Sequence, residues 1–182
     1  MIYYKDEEIE IRDICKEDVI GLFTTWIDKE ININDPRPIP KTSKELIAEC
    51  IDYCNRFDTE IMNENIENRK YKYFIITNNL GNLIGFVNLF SIDNEKKQGE
   101  MGVSMCDKRY LNKGIAYTAI MVAINYIFEN MNIDRIYIET VESNLPALKL
   151  CEKLNFNKCG EYIEDNVKAI IMEKLRDSLI LC

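Results

Sequence analysis

Between Gln98 and Asn130 the chain reads as a strand, a short glycine-bearing loop and a long amphipathic helix, and this junction restricts the folds open to it. The strand runs to about Cys106. The loop and helix start then read Arg109-Tyr110-Leu111-Asn112-Lys113-Gly114-Ile115-Ala116-Tyr117-Thr118-Ala119. Ala116, Ala119, Ile120, Ala123, Ile124 and Ile127 recur at helical spacing and mark the buried face. Such a loop leaves bare backbone N–H groups at the positive end of a helix, where they can hold phosphate oxygens without a cationic side chain.

The rest of the chain extends this unit on both sides. Glu8 to Ile14 alternates as a strand, and Lys16 to Ile27 carries apolar residues at helical spacing. Asn32 to Pro40 holds three of the four prolines and reads as an irregular loop. Thr42-Ser43-Lys44-Glu45 has the form of a capping box, opening a helix with Leu46, Ile47, Cys50, Ile51 and Cys54 on one face. Tyr71 to Thr77 and Leu83 to Ser91 flank the turn signal Asn78-Asn79-Leu80-Gly81-Asn82 and form a hairpin. After the glycine-loop helix come a strand over Asp134 to Val141 and a short helix over Asn144 to Leu154. A last hairpin joins Asn155–Ile163 to Val167–Leu175. The order β-α-α-β-β-β-α-β-α-β-β predicts one α/β (α+β) domain over residues 1–182. Its centre is a mixed, mostly antiparallel twisted sheet with helices on both faces.

This order and two motifs resemble the GNAT superfamily of N-acetyltransferases over nearly the whole chain. The first motif is the family's pyrophosphate loop, Gln/Arg-x-x-Gly-x-Gly/Ala, matched by Leu111-Asn112-Lys113-Gly114-Ile115-Ala116 with Leu111 in place of the leading Gln or Arg. The second is Asn144-Leu145-Pro146-Ala147-Leu148-Lys149-Leu150-Cys151-Glu152-Lys153-Leu154-Asn155-Phe156. It is similar to Asn-x-x-Ala/Ser-x-x-Leu-Tyr-x-Lys-x-Gly-Phe, with Cys151 at the tyrosine and Asn155 at the glycine. Arg12, Asp13, Asp18 and Trp26 look most like the ribosomal-protein and polyamine branch.

The resemblance implies direct attack of an amine on the thioester of acetyl-CoA as cosubstrate. It assigns the backbone of Met105 and Cys106 to the pantetheine arm and the amides of Leu111, Asn112, Lys113, Gly114, Ile115 and Ala116 to the pyrophosphate. The Asn144 side chain, also a good N-cap, goes to the pantetheine region. Glu100 is the candidate base, on one strand face with Gly102, Ser104 and Cys106. Cys151 stands where the family has its acid, with Tyr110, Tyr117 or water as substitutes. The acceptor side falls on the first two helices, their connection and the last hairpin. Trp26, Asp28, Glu30 and Asp35 are the expected lining, since an aromatic ring with carboxylates suits a cationic amine; Glu161 and Glu164 raise the same possibility.

Composition narrows the chemistry. The chain has no histidine, so a Ser-His-Asp or Cys-His nucleophile and a histidine-ligated metal are excluded. Seven cysteines without a CxxC spacing are expected to be reduced, with no structural metal. A net charge of −8 opposes nucleic-acid binding and is compatible with a cationic acceptor. No apolar run is long enough for a membrane span, and the acidic start Met1 to Glu8 lacks a secretory pattern, so a cytoplasmic setting is expected. The expectation is an acetyltransferase acting on a small polycation such as a polyamine or aminoglycoside. A protein N-terminus or lysine is the alternative, and a homodimer is possible. A CoA-binding sensor without catalysis is the rival from another class, resting on the departures at Leu111 and Cys151. A phosphate-loop protein for another nucleotide is weaker, since the chain has no GxxxxGK[ST] motif.

Overall fold

In the computed structural model, which describes residues 1–32, 38–65 and 69–176, eight strands form one sheet in the order β1-β2-β3-β4-β5-β6-β8-β7. They are β1 Ile2–Lys5, β2 Ile9–Asp13, β3 Lys72–Asn78, β4 Leu83–Asp93, β5 Gln98–Met105, β6 Arg135–Val141, β7 Asn157–Glu164 and β8 Val167–Leu175. The helices are α1 Val19–Trp26, α2 Ser43–Arg56, α3 Ile115–Asn130 and α4 Leu145–Lys153. Every neighbouring pair is antiparallel except β5 and β6, which the α3 crossover makes parallel. None of the described helices is long and apolar enough to cross a membrane.

Two cores cover the two faces of the sheet. On one, α3 and α4 pack Ile120, Ala123, Ile124, Ile127, Cys151 and Leu154 onto Phe74, Val87, Leu89 and Met101. On the other, α1 and α2 pack Leu22, Phe23, Tyr53 and Phe57 onto Tyr73 and Ile75. The α2 stripe differs from the expected one. Ile47 and Ile51 are 61% and 58% exposed, and Tyr53, Phe57 and Ile61 face the sheet instead. Their four-residue spacing carries the buried face past the helix end, through a wider π turn over Phe57–Ile61. The larger aromatic stripe takes the contact, and the smaller aliphatic one is left outside.

Strand β1 was not anticipated. Asp6 turns the chain by accepting from the amides of Glu8 and Ile9, both at 2.8 Å. Tyr3 then packs against Phe74, tilted, and Tyr126, edge-on, with ring centroids 5.1 and 4.9 Å away. The sequence carries only four residues of this strand, too few for an alternation to register.

The entry to α1 is held by an ion pair. Arg12 forks onto Asp18 at 2.8 and 2.7 Å, and the Cys15 amide donates to the same carboxylate at 2.9 Å. Burial pushes the Asp18 carboxyl up, but the Arg12 fork and the Cys15 donors outweigh it and hold it below its usual value. A carboxyl depressed in the folded state stabilises above its unfolded pKa, and that stability is lost as pH falls through the folded value. Asp18→Ala leaves Arg12 partly buried without its partner and is expected to cost about 3 kcal/mol. Urea melts at pH 7 and at acid pH check this: the deficit should shrink at low pH, and an equal deficit at both would refute the ion-pair account.

Candidate functional site

The cleft begins where the sheet comes apart. β5 and β6 pair at only three positions, Gln98 with Arg135, Gly99 with Ile136 and Glu100 with Tyr137. Strand β6 stays paired with β8 as far as Val141, so beyond Glu100 it diverges from β5 and opens a cavity of about 620 Å³. The Cys106 amide donates to the Ile84 carbonyl of β4 at 2.8 Å. Antiparallel pairs alternate, so in the register of β4 and β5 the backbone groups of Met101, Val103 and Met105 turn the other way, to the cleft. The Met105 backbone therefore faces the cleft, where an extended arm would lie, and the Cys106 amide does not. The Cys106 amide is taken by β4, and its thiol accepts from Thr25 at 3.3 Å.

At the far end of β5, Asp107 caps a single 3-10 turn by accepting from the Arg109 amide at 2.9 Å. Asn112 and Gly114 then adopt φ of 60° and 81°, the left-handed region where glycine is unstrained. Gly114 is the N-cap of α3 and brings no capping side chain. The first-turn amides of a helix have no intrahelical partners, so those of Ile115 and Ala116 are left for a ligand. Leu111 to Gly114 are exposed, while Ile115 is buried and anchors the turn. Two ammonium groups stand nearby: Lys113 lies 5.1 Å from the Tyr110 ring centroid, and Lys153 of α4 lies 4.8 Å from that of Tyr117. Lys153 was not assigned from sequence, although it lies inside the second motif.

Glu100 lines the cleft. Burial, and then the nearby negative charge of Glu139, push its carboxyl up to about 7. Glu139 also lines the cleft and accepts from the Tyr162 hydroxyl of β7 at 3.0 Å. That hydrogen bond, with the Glu139 charge, pushes the Tyr162 phenol up. Sequence reasoning missed Glu139 and Tyr162, because only the register of β6, β8 and β7 brings them together. Asn144 caps α4 by accepting from the Ala147 amide at 3.4 Å and donates one amide hydrogen to Thr140 at 3.0 Å. Its second hydrogen is left for the cleft it lines.

Cys151 is elsewhere. It is 3% exposed in the α3–α4 core and lines no part of the cleft, and burial pushes its thiol up to about 11. The acid expected there is therefore corrected to a core residue.

A second cavity, of about 340 Å³, lies between α1, α2 and the sheet, and Trp26 is on its wall. Asn32 lines both cavities and donates to the Thr25 and Asp28 carbonyls at 2.6 and 2.9 Å, closing the end of α1. Asp28 and Glu30 do not line either cavity. The Asp28 carboxylate accepts from the amides of Glu30 and Ile31, and Glu30 pairs with Lys108. Glu161 pairs with Lys168 at 3.2 Å. Asp35 lies outside the described residues.

A family model described as an acetyltransferase (GNAT) domain matches residues 8–157. The chain belongs to the GNAT acetyltransferases. Among GNAT relatives, an uncharacterised N-acetyltransferase of Bacillus licheniformis is 27% identical over 158 residues, covering 85% of this chain and 82% of the relative. The spermidine N(1)-acetyltransferase of Vibrio cholerae is 28% identical over 106 residues, covering 58% of this chain and 61% of that one. The solved structure of ribosomal-protein-S5-alanine acetyltransferase from Vibrio fischeri superposes with a TM-score of 0.78 at 22% identity, covering 97% of both chains. That likeness is one of fold. The GNAT fold implies a CoA thioester, and the residues present fit one: an unpaired strand edge for an extended amide-bearing arm, and an uncapped glycine turn for a pyrophosphate.

Proposed function

We propose that this N-acetyltransferase moves an acetyl group from acetyl-CoA to a primary amine, with Glu100 accepting the amine's proton. The observation that carries this reading is Glu100 itself, a half-buried carboxyl titrating near 7 on the wall of a cleft whose strand edge is unpaired. A base with a pKa near the operating pH combines the correct protonation state with a useful driving force.

Acetyl-CoA, when bound, supplies an activated acetyl thioester. The outward groups of Val103 and Met105 hold its amide-bearing arm as a strand would, and Asn144 offers one more donor beside them. The amides from Asn112 to Ala116 hold the pyrophosphate, and Lys113 and Lys153 add positive charge. Glu139, steadied by Tyr162, keeps a second negative charge facing the acceptor, which favours an ammonium over a neutral amine at the cleft and raises the affinity of Glu100 for the proton it must take. No side chain is assigned as the acid. Cys151 is in the core, and the Tyr162 proton is directed at Glu139. Neither Tyr110 nor Tyr117 lines the cleft, so water is left for that step.

The two carboxylates alone suit a polyamine or a chain N-terminus equally; what lies beside them separates the two. Calorimetry with acetyl-CoA, followed by thiol release with amines and N-terminal peptides, tests the reading. Saturable binding and amine-dependent release of free thiol are expected. Binding without release on any amine would favour a CoA-binding sensor, and absence of binding would overturn the loop assignment as well.

A further inference from the structure

The cavity against α1 and α2 is walled by aromatic rings. Trp26 and Tyr53 form its helix side, with centroids 5.5 Å apart. Phe86, Tyr73, Tyr71 and Phe90 form a continuous run on the sheet side, successive centroids lying 5.5, 6.2 and 6.3 Å apart. At about 340 Å³ it falls within the range of small-molecule pockets.

The charges in this slot are already matched. Arg56 lies 5.1 Å from the Trp26 centroid and donates to Asp52 at 2.8 Å, and Glu60 pairs with Lys70 at 2.6 Å. Among the described lining residues there is one cation, Arg56, also paired with Glu49 at 3.6 Å, and one carboxylate, Glu60, so an added ammonium finds no unpaired carboxylate among them. The cleft carries Glu100 and Glu139 with no cation in its described lining.

The two cavities adjoin across one strand pair. Phe90 sits opposite Glu100, Asn88 opposite Gly102 and Phe86 opposite Ser104, and paired residues share a face. Residues paired this way have Cα atoms about 5.5 Å apart. At Gly102 a Cβ would come within 2.6 Å of the Asn88 Oδ1, so glycine keeps the boundary between slot and cleft clear. An acceptor with its ammonium at Glu100 therefore has its next few atoms directed among the rings.

We infer that the aromatic slot holds the body of the acceptor, which makes the preferred acceptor a primary amine a few bonds from an aromatic ring, and not a polyamine. This rests on the acetyl-transfer reading above and narrows its acceptor. The shared chemistry belongs to a free arylalkylamine or to a peptide whose first residue is aromatic.

The chain has a single tryptophan, Trp26, on the wall of the slot, so its fluorescence reports occupancy without any turnover. Phenethylamine, propylamine, spermidine, and peptides starting with Phe or Ala are titrated against that signal and assayed for thiol release. Phenethylamine or the Phe-peptide should change the Trp26 signal saturably and exceed spermidine in kcat/KM by at least about tenfold. Which of the two is stronger distinguishes a free amine from a chain terminus. Phe90→Ala should raise KM for the aromatic acceptor by roughly tenfold while leaving acetyl-CoA affinity unchanged, and Phe90→Leu, which keeps most of the volume, should raise it less. A preference for spermidine with no Trp26 response would overturn the slot assignment and leave acetyl transfer standing. A saturable response to the aromatic amine without acetyl-CoA binding would support the slot and overturn acetyl transfer.

Discussion

Replacement of Gly114 by glutamate should lower the affinity for acetyl-CoA by at least about a hundredfold, with the fold retained. Two effects combine. At φ of 81° any L-residue is strained, by about 1 kcal/mol. The larger effect is electrostatic. The new carboxylate sits at the N-cap of a sixteen-residue helix, where it competes for the amides that would hold a pyrophosphate and repels that anion as well. Space is not the limit, since a Cβ at Gly114 meets no atom within 4 Å. Gly114→Ala therefore isolates the strain and should lose only a few-fold in affinity. Calorimetry on both variants, with circular dichroism to verify folding, makes the test. A folded glutamate variant that binds acetyl-CoA as the parent does would remove the amide cradle from the account.

Glu100→Gln should lower kcat by about a hundredfold and abolish the limb of the pH profile centred near 7. The direction follows from the titration. Below about 7 the Glu100 carboxyl holds its proton and cannot take another, so activity should rise with pH through that value and then level. The same shift acts on stability. A carboxyl raised in the folded state binds its proton more tightly there than in the unfolded chain, so stability falls as pH rises from the unfolded value of about 4.5 to about 7. The neutral glutamine escapes that penalty and should be more stable above pH 7 by about 1–2 kcal/mol, allowing for solvent at a half-buried group. A variant slower but no more stable would mean that burial costs Glu100 little. One that keeps the parent pH profile would mean that water alone takes the proton.

The elements that were legible in the sequence are those whose pattern is local. The glycine junction, the Asn78–Asn82 turn and the α3 stripe each carry their signal within a dozen residues, and each stands as read. What failed depends on distant partners. Ile47 and Ile51 form a good helical stripe, yet the sheet presents Tyr73 and Ile75, and the aromatic stripe through Tyr53 and Phe57 fits that surface better. Asp28 and Glu30 have the right chemistry for an ammonium, but carboxylates just past a helix end find backbone amides and lysines first. Cys151 occupies a motif position whose side chain turns into the core. Tyr162 and Glu139 lie 23 residues apart, and nothing in the linear order announces that two further strand pairings set them side by side.

The parting of β5 from β6 also bears on how the molecule holds together. With three paired positions between them, strands β1–β5 and β6–β8 are two half-sheets joined by a short seam and by α3 packed across the back. On the acetyl-transfer reading, the bound arm lies where the missing ladder would be and stitches the halves together. The cosubstrate then acts as an extra strand, and the rigidity of the protein follows its supply: loose and open to exchange when acetyl-CoA is scarce, stiff when it is plentiful.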